Sequence, residues 1–445
     1  MYQLPQPYRA FLQSRADAHM AFARYVGGLI QHRHSVNPSN PVTITVGTHA
    51  ETFHADELMA CVVLKRFMSM VSTEVGVTVN VEIQRLNREN QAALDAADIL
   101  VDVGREYDPA RGRFDHHQNF DEGMTPRRYN ERGQPDVELS AIGMVWHACG
   151  LFVTGEAVTN VPTDRELDIL RMKARSDALA IGPCDVRRVM DQAVRDVLRR
   201  EAYDHIDWSF VRGFDASDNG YVMSRAPREK RFVRLLQENI GLLKTAVTKA
   251  AILLSGQLLT VLSDVERELP GEQTYYGQLS HPSKLIGNAN GRDIGDDAEQ
   301  YRRFMQQVDI WTLMFSNTLE EACRIRDDRQ KLQEAVDSQR GGDNPQVLVL
   351  AEYLRWTDHI NSINRADHIR VVITPISDKG HWNIRARNNR DNAPAAWRGH
   401  QGDELVAISG IADMVFCHGH GHMVRTRSLE SAIEVAKLMM TSNNA

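Results

Sequence analysis

Thr48-His49-Ala50-Glu51-Thr52-Phe53-His54-Ala55-Asp56-Glu57 follows the apolar run Val42 to Val46 and Gly47, and this stretch decides the fold. Two imidazoles and three carboxylates fall within it, where a strand-like run gives way to a helix-like one. Open α/β sheets place their chemistry at such points: the carboxyl ends of strands border a crevice, and the next helix opens with free N–H groups. Two later stretches repeat the pattern, Ala97-Asp98-Ile99-Leu100-Val101-Asp102-Val103-Gly104 and Arg113-Phe114-Asp115-His116-His117-Gln118. Each sets an acid or a histidine where a short apolar run stops. Three strand ends converging with Asp and His predict one polynuclear metal site.

Around these motifs, strands at residues 43–46, 77–86 and 99–103 alternate with helices at 55–70 and 89–97. That order predicts a mostly parallel sheet covered by helices, an α/β fold. A short strand at 112–115 and a helix at 139–149 extend it, and an amphipathic helix over 8–32 precedes it. Residues 164–207, 228–265 and 297–337 read as helical, and the stretch Phe210 to Gly220 as a helix end or turn. Ser338 to Pro345 is a polar, turn-rich linker. Beyond it, strands at 347–351, 369–375, 381–387 and 414–417 with helices at 402–408 and 428–440 predict a small α+β domain.

The 445 residues exceed what one hydrophobic core usually serves. The expected organisation is a helical extension over 1–41, a catalytic domain with a helical insertion over 42–225, a helical segment over 226–337 and a substrate-binding domain over 346–445. With 42% hydrophobic and 25% charged residues the composition is that of an ordinary globular chain. A formal charge of −7 argues against attachment to nucleic acid by overall charge, although a local basic cleft is compatible with it. The five cysteines are scattered, odd in number and without a C-x-x-C pair, which favours a reducing, cytoplasmic setting and disfavours a thiolate zinc site. The amino terminus has no apolar signal region, and the longest apolar run, Ala250 to Leu262, is shorter than the roughly 20 residues a bilayer requires. No membrane partner is expected.

The candidate ligands are His49, His54, Asp56, Asp102, His116 and Asp215, three imidazoles and three carboxylates. This set suits Mn²⁺, Zn²⁺ or Fe²⁺ and is too rich in nitrogen for Ca²⁺. Six ligands exceed the needs of one catalytic ion and match two ions sharing a carboxylate, a bridging role that falls to Asp102. Two such ions are the recurrent solution for phosphoester hydrolysis. His117 is then placed to contact a phosphate or give a proton to the leaving oxygen. Taken singly, Asp56 and Glu57 also read as first-turn acids answering a helix dipole. Arg385, Arg387, Arg390 and Arg398 with Trp382 and Trp397 read as a surface for single-stranded nucleic acid, or as a solvated face. His418-Gly419-His420-Gly421-His422 has metal-binding spacing without nearby acids, and alternate positions of a strand end produce the same spacing.

The motifs from Thr48 to Glu57, Val101-Asp102-Val103-Gly104 and Asp115-His116-His117-Gln118 resemble the melanocyte proliferating gene 1 family, a branch of the DHH phosphoesterase superfamily. Leu139 to Gly143, Phe210 to Gly220, Trp397-Arg398-Gly399 and Ser409-Gly410-Ile411 resemble that family's later blocks. The resemblance implies a DHH-type phosphoesterase fold with a two-Mn²⁺ site in a cleft between a catalytic and a smaller domain. It also implies phosphodiester hydrolysis, with 3′→5′ attack on RNA or short oligonucleotides. By the same resemblance His49 and His54 would hold one ion and Asp56, His116 and Asp215 the other, with Asp102 between them. Read from the residues themselves, Arg385, Arg387, Arg398 and His418 are the candidates to face the substrate. Residues 152–200 and 226–275 look like insertions that reshape the cleft or contact a second copy of the chain. A small-molecule phosphohydrolase acting on a nucleotide or pyrophosphate, and a non-catalytic binding protein, are the alternative readings.

Overall fold

The computed structural model describes residues 3–118, 126–158, 161–181, 186–221, 282–291, 296–339, 344–376 and 380–441. The helix expected over 228–265 lies outside them. The chain divides into two compact units: Met1–Ala180 with Ala193–Ala322, and Ile181–Gln192 with Cys323–Ala445.

In the first unit, α1 (Gln6–Val36) leads into β1 (Val42–His49), α2 (Ala55–Val75), β2 (Val79–Leu86), α3 (Gln91–Ala96) and β3 (Ile99–Val101). β4 (Tyr107–Asp108) and β5 (Arg113–Phe114) complete a five-stranded sheet in the order β2-β1-β3-β5-β4. The first four of these strands run parallel and β4 pairs antiparallel with β5. Ile99, Leu100 and Val101 are all buried, as a central parallel strand requires. α2 is apolar around most of its circumference because it is enclosed: Leu58 to Leu64 are wholly buried, and the helix packs on β2 and on α4 (Ala141–Val153). Gly76, in the left-handed conformation, ends it.

A hairpin of β6 (Arg127–Tyr129) and β7 (Pro135–Glu138), absent from the sequence reading, precedes α4. Helices α5 (Asp164–Ile181), α6 (Val186–Leu198) and α7 (Glu201–Ile206) follow. A π-helical turn at Asp207–Val211 then delivers α8 (Arg212–Asp218), which ends before Gly220. α9 (Pro282–Asn288) and the long α10 (Asp297–Ser338) come next.

The second unit holds β8 (Val347–Val349), α11 (Trp356–His359), β9 (Val371–Ile376), β10 (His381–Ala386), α12 (Gly402–Ser409), β11 (Met414–Cys417), β12 (Met423–Thr426) and α13 (Leu429–Thr441). Its sheet, in the order β11-β12-β10-β9-β8, is antiparallel except for the β8–β9 pair. Alternation along β9 covers both faces: Val371 and Ile373 join one core with Leu405 and Val435, while Val372 joins Leu332, Val336 and Trp356.

Candidate metal centre

The carboxyl ends of the adjacent parallel strands β1, β3 and β5 deliver His49, Asp102 and the segment Asp115-His116-His117 to one place. α2 opens beside them with His54 at its cap and Asp56 and Glu57 in its first turn. Asp102 sits just past β3 with φ of 57°, a left-handed conformation costing about 1–3 kcal/mol for a residue with a side chain. That kink lies at the centre of the site. Asp102 Oδ2 is 3.2 Å from His49 Nε2, and its Oδ1 is 3.3 Å from His116 Nε2 and 3.2 Å from His117 Nδ1. One carboxylate thus faces three imidazoles.

The remaining donors close around it. Glu57 Oε1 accepts from the His54 backbone N–H at 2.6 Å and lies 3.3 Å from His49 Nε2. His116 Nε2 is 3.2 Å from Asp218 Oδ2 and 3.9 Å from Asp56 Oδ2. Donor atoms of His54, Asp56 and Asp218 fall within one ion's reach, as do those of His49, His54, Glu57 and Asp102. His49 Nδ1 lies 2.7 Å from the Ala50 carbonyl, to which it can only donate. That bond aims Nε2 at the carboxylates, the nitrogen a ligating histidine would offer an ion once its proton leaves.

Burial is the largest influence on His49 and pulls its pKa down, yet Asp102 and Glu57 outweigh it and raise the group to about 9. Asp102 shows the opposite balance: burial would raise it, but His116, His117 and His49 hold it well below the usual carboxylate range. Asp56, buried and close to Asp102, Asp218 and Glu57, is raised well above that range. A divalent cation is the charge that relieves such crowding of acids. His117 differs from the other rings: its side chain is 42% exposed, and Nδ1 is 2.8 Å from Asp115 Oδ1. Asp102 and Asp115 raise it to about 10.

The structure therefore gathers His49, His54, Asp56, Asp102, His116 and His117. Asp215 is engaged by other partners. Its Oδ1 accepts from the Ser140 N–H, the Ser140 hydroxyl and the Gly143 N–H at 3.0, 2.7 and 3.0 Å, and its Oδ2 is paired with Arg128. Asp218, one helical turn further along α8, faces the cluster, with Oδ2 3.2 Å from His116 Nε2. Glu57 and Asp218 are the donors absent from the sequence-based set, and Asp115 is the added partner of His117. The Asp215-x-x-Asp218 spacing places both acids on one face of α8 and does not choose between them.

In the second unit, Arg387 donates to the carbonyls of Ala366 and Ile369 and to Asn361 Oδ1, so it ties that unit together internally. Arg398 Nε donates to the Ala393 carbonyl at 2.9 Å, while Arg385 is exposed on β10. His418, His420 and His422 lie on and beside the turn joining β11 to β12, closed by a Gly421 N–H bond of 2.7 Å to the His418 carbonyl. They do not occupy alternate positions of one strand. Among the described residues they do not bring three donor atoms to a common point.

A sequence model named MYG1_exonuc, described as an uncharacterised protein family (UPF0160), matches residues 45–251 and 262–440. The chain belongs to this family. The MYG1 exonuclease of Homo sapiens is 23% identical over 417 residues, covering 90% of this chain and 86% of the human one. The MYG1 protein C694.04c of Schizosaccharomyces pombe is 24% identical over 404 residues, covering 88% and 96%. With membership of the MYG1 family, the enzyme and hydrolase readings of the motifs stand. The family match runs through 152–200 and omits only 252–261 between its two segments. Among solved structures, RecJ of Thermus thermophilus in complex with Mn²⁺ matches at 14% identity over 95% of this chain and 54% of its own. The TM-score is 0.18, too low to carry an argument.

Proposed function

We propose that the protein is a metal-dependent phosphodiesterase, holding two divalent ions with Mn²⁺ as first choice, that removes nucleotides from the 3′ end of RNA or short oligonucleotides. The observation that carries this reading is a set of buried donor atoms that crowd together without hydrogen bonds of good geometry: His49 Nε2, Asp56 Oδ1, Glu57 Oε2, Asp102 Oδ1 and His116 Nε2. Each such atom costs about 1–3 kcal/mol if nothing binds it. A mixed imidazole and carboxylate set of this kind fits a transition-metal ion.

Bound ions would supply the charge that acidifies an attacking water and offsets the phosphoryl oxygens. His49, His54, Glu57 and Asp102 would hold one, and Asp56, His116 and Asp218 the other, with Asp102 shared. Asp115 orients His117 through Nδ1, leaving Nε2–H of a ring kept protonated to bind a phosphate oxygen or give its proton to the leaving oxygen. The relatives named exonucleases support attack from a chain end. A cytoplasmic setting belongs to the same proposal and is supported by Cys61, Cys149 and Cys417, which form no disulfide among the described residues. Among the described residues no helix is long and apolar enough to cross a membrane.

Incubation of 5′-labelled single-stranded RNA with the protein and Mn²⁺ should produce a shortening ladder. Intact RNA in a sample with ions bound would reject the ribonuclease reading in favour of small phosphate esters or anhydrides. Ion loading should also depend on pH. His49, raised to about 9, carries a proton at neutral pH that an arriving ion must displace, so affinity for Mn²⁺ rises as the pH climbs toward that value. Calorimetric titration in buffers of differing ionisation enthalpy should detect the released proton; identical heats across buffers at neutral pH would contradict it.

A further inference from the structure

The loop from His49 to His54, which carries both histidines of one ion, is held from outside itself. Arg85 on β2 donates to the carbonyls of His49 at 3.2 Å and Glu51 at 2.8 Å. Its guanidinium lies over the rings of Phe53 and Phe304, 5.4 and 4.9 Å from their centroids. Asn290, 237 positions from Phe53 in sequence, grips the Phe53 backbone on both sides. Its Oδ1 accepts from the Phe53 N–H at 2.8 Å and its Nδ2 donates to the Phe53 carbonyl at 2.7 Å. The Asn290 carbonyl is itself fixed by Gln300 Nε2 at 2.9 Å. Phe53 is wholly buried against Phe304, and Glu51 within the same loop has φ of 73°, so the loop is not at rest in a common conformation.

We infer that Asn290 is a positioning residue of the metal centre: by clamping both backbone groups of Phe53 it sets His54, the next residue, beside His49, Glu57 and Asp102. The inference rests on the metal reading above. A strained loop left to itself relaxes, and His54, at the cap of α2, would lose its register with His49, Glu57 and Asp102. The stretch 282–290 thereby acts on the metal centre through Asn290. Donors that orient a ligand from behind typically change metal affinity by about 10–100-fold when removed.

The test is Mn²⁺ titration of the full chain, read as loss of the free-ion paramagnetic resonance signal, for the unmutated protein, Asn290→Ala and Asn290→Asp. Asn290→Asp keeps the acceptor for the Phe53 N–H and loses the donor to its carbonyl. Both variants should weaken one class of ion by about 10–100-fold and leave the second class as it was. A role confined to general stability would weaken both classes together. Either variant, folded by circular dichroism and with both affinities unchanged, overturns the inference, and so does loss of the fold in both. No ion bound by the unmutated protein would reject the metal reading itself.

Discussion

Asp102→Asn should lower turnover by roughly 10³-fold, the scale of removing one key electrostatic group from a reaction centre, in a protein that remains folded. The amide matches the carboxylate in shape and is only 1% exposed, so packing around it is preserved. What disappears is the charge facing His49, His116 and His117 at 3.2, 3.3 and 3.2 Å. No other acid among the described residues lies this close to all three rings, so one substitution weakens both ions at once. Relief at Asp56, whose pKa Asp102 raises, offsets part of any structural cost. Rate and ion content measured on the same folded sample decide the matter; near-normal turnover would remove the bridging role.

Asp215→Ala should act in the opposite way, costing about 3–5 kcal/mol of stability, as removal of one partner from a buried ion pair does. The substitution strands the Ser140 and Gly143 N–H groups and leaves Arg128 with Asp207 alone, at 2.6 and 2.8 Å. Gly143 shows how tightly the carboxylate is seated: a Cβ there would collide with both of its oxygens. Gly143→Ala should therefore be destabilising through the same contact, and the two effects should not add. Urea unfolding is the measurement. A loss below about 1 kcal/mol together with loss of one ion would restore Asp215 as a ligand; exposed, unpaired positions show changes of that small size.

The three motifs at strand ends were legible because their information is local. An apolar run followed by Asp or His specifies both a buried strand and the polar group at its mouth, and adjacent parallel strands bring those mouths together. That is why His49, His54, Asp56, Asp102 and His116 meet as their spacing predicts, and why the α/β alternation is recovered with small differences at the ends of elements. The second sheet was legible for the same reason except at β12, where the Gly-rich turn His418 to Gly421 masks the short return strand Met423–Thr426.

Other features depend on packing between distant segments. Whether Asp215 or Asp218 faces the donor cluster is set by the phase of α8, which follows the π-helical turn at Asp207–Val211 and is locked by Arg128 from a hairpin with little periodicity of its own. Arg387 and Arg385 are indistinguishable by composition, yet one is tied to backbone carbonyls and the other is exposed. Asn290 reaches Phe53 across 237 positions of chain. The sequence by itself determined the elements, the sheet and the residue types at its mouth, because propensity and periodicity act over a few residues. Only the tertiary structure decided which of two neighbouring acids faces the imidazole cluster and which is tied to Ser140 and Arg128, because that choice depends on the partners brought to each side chain from elsewhere in the chain.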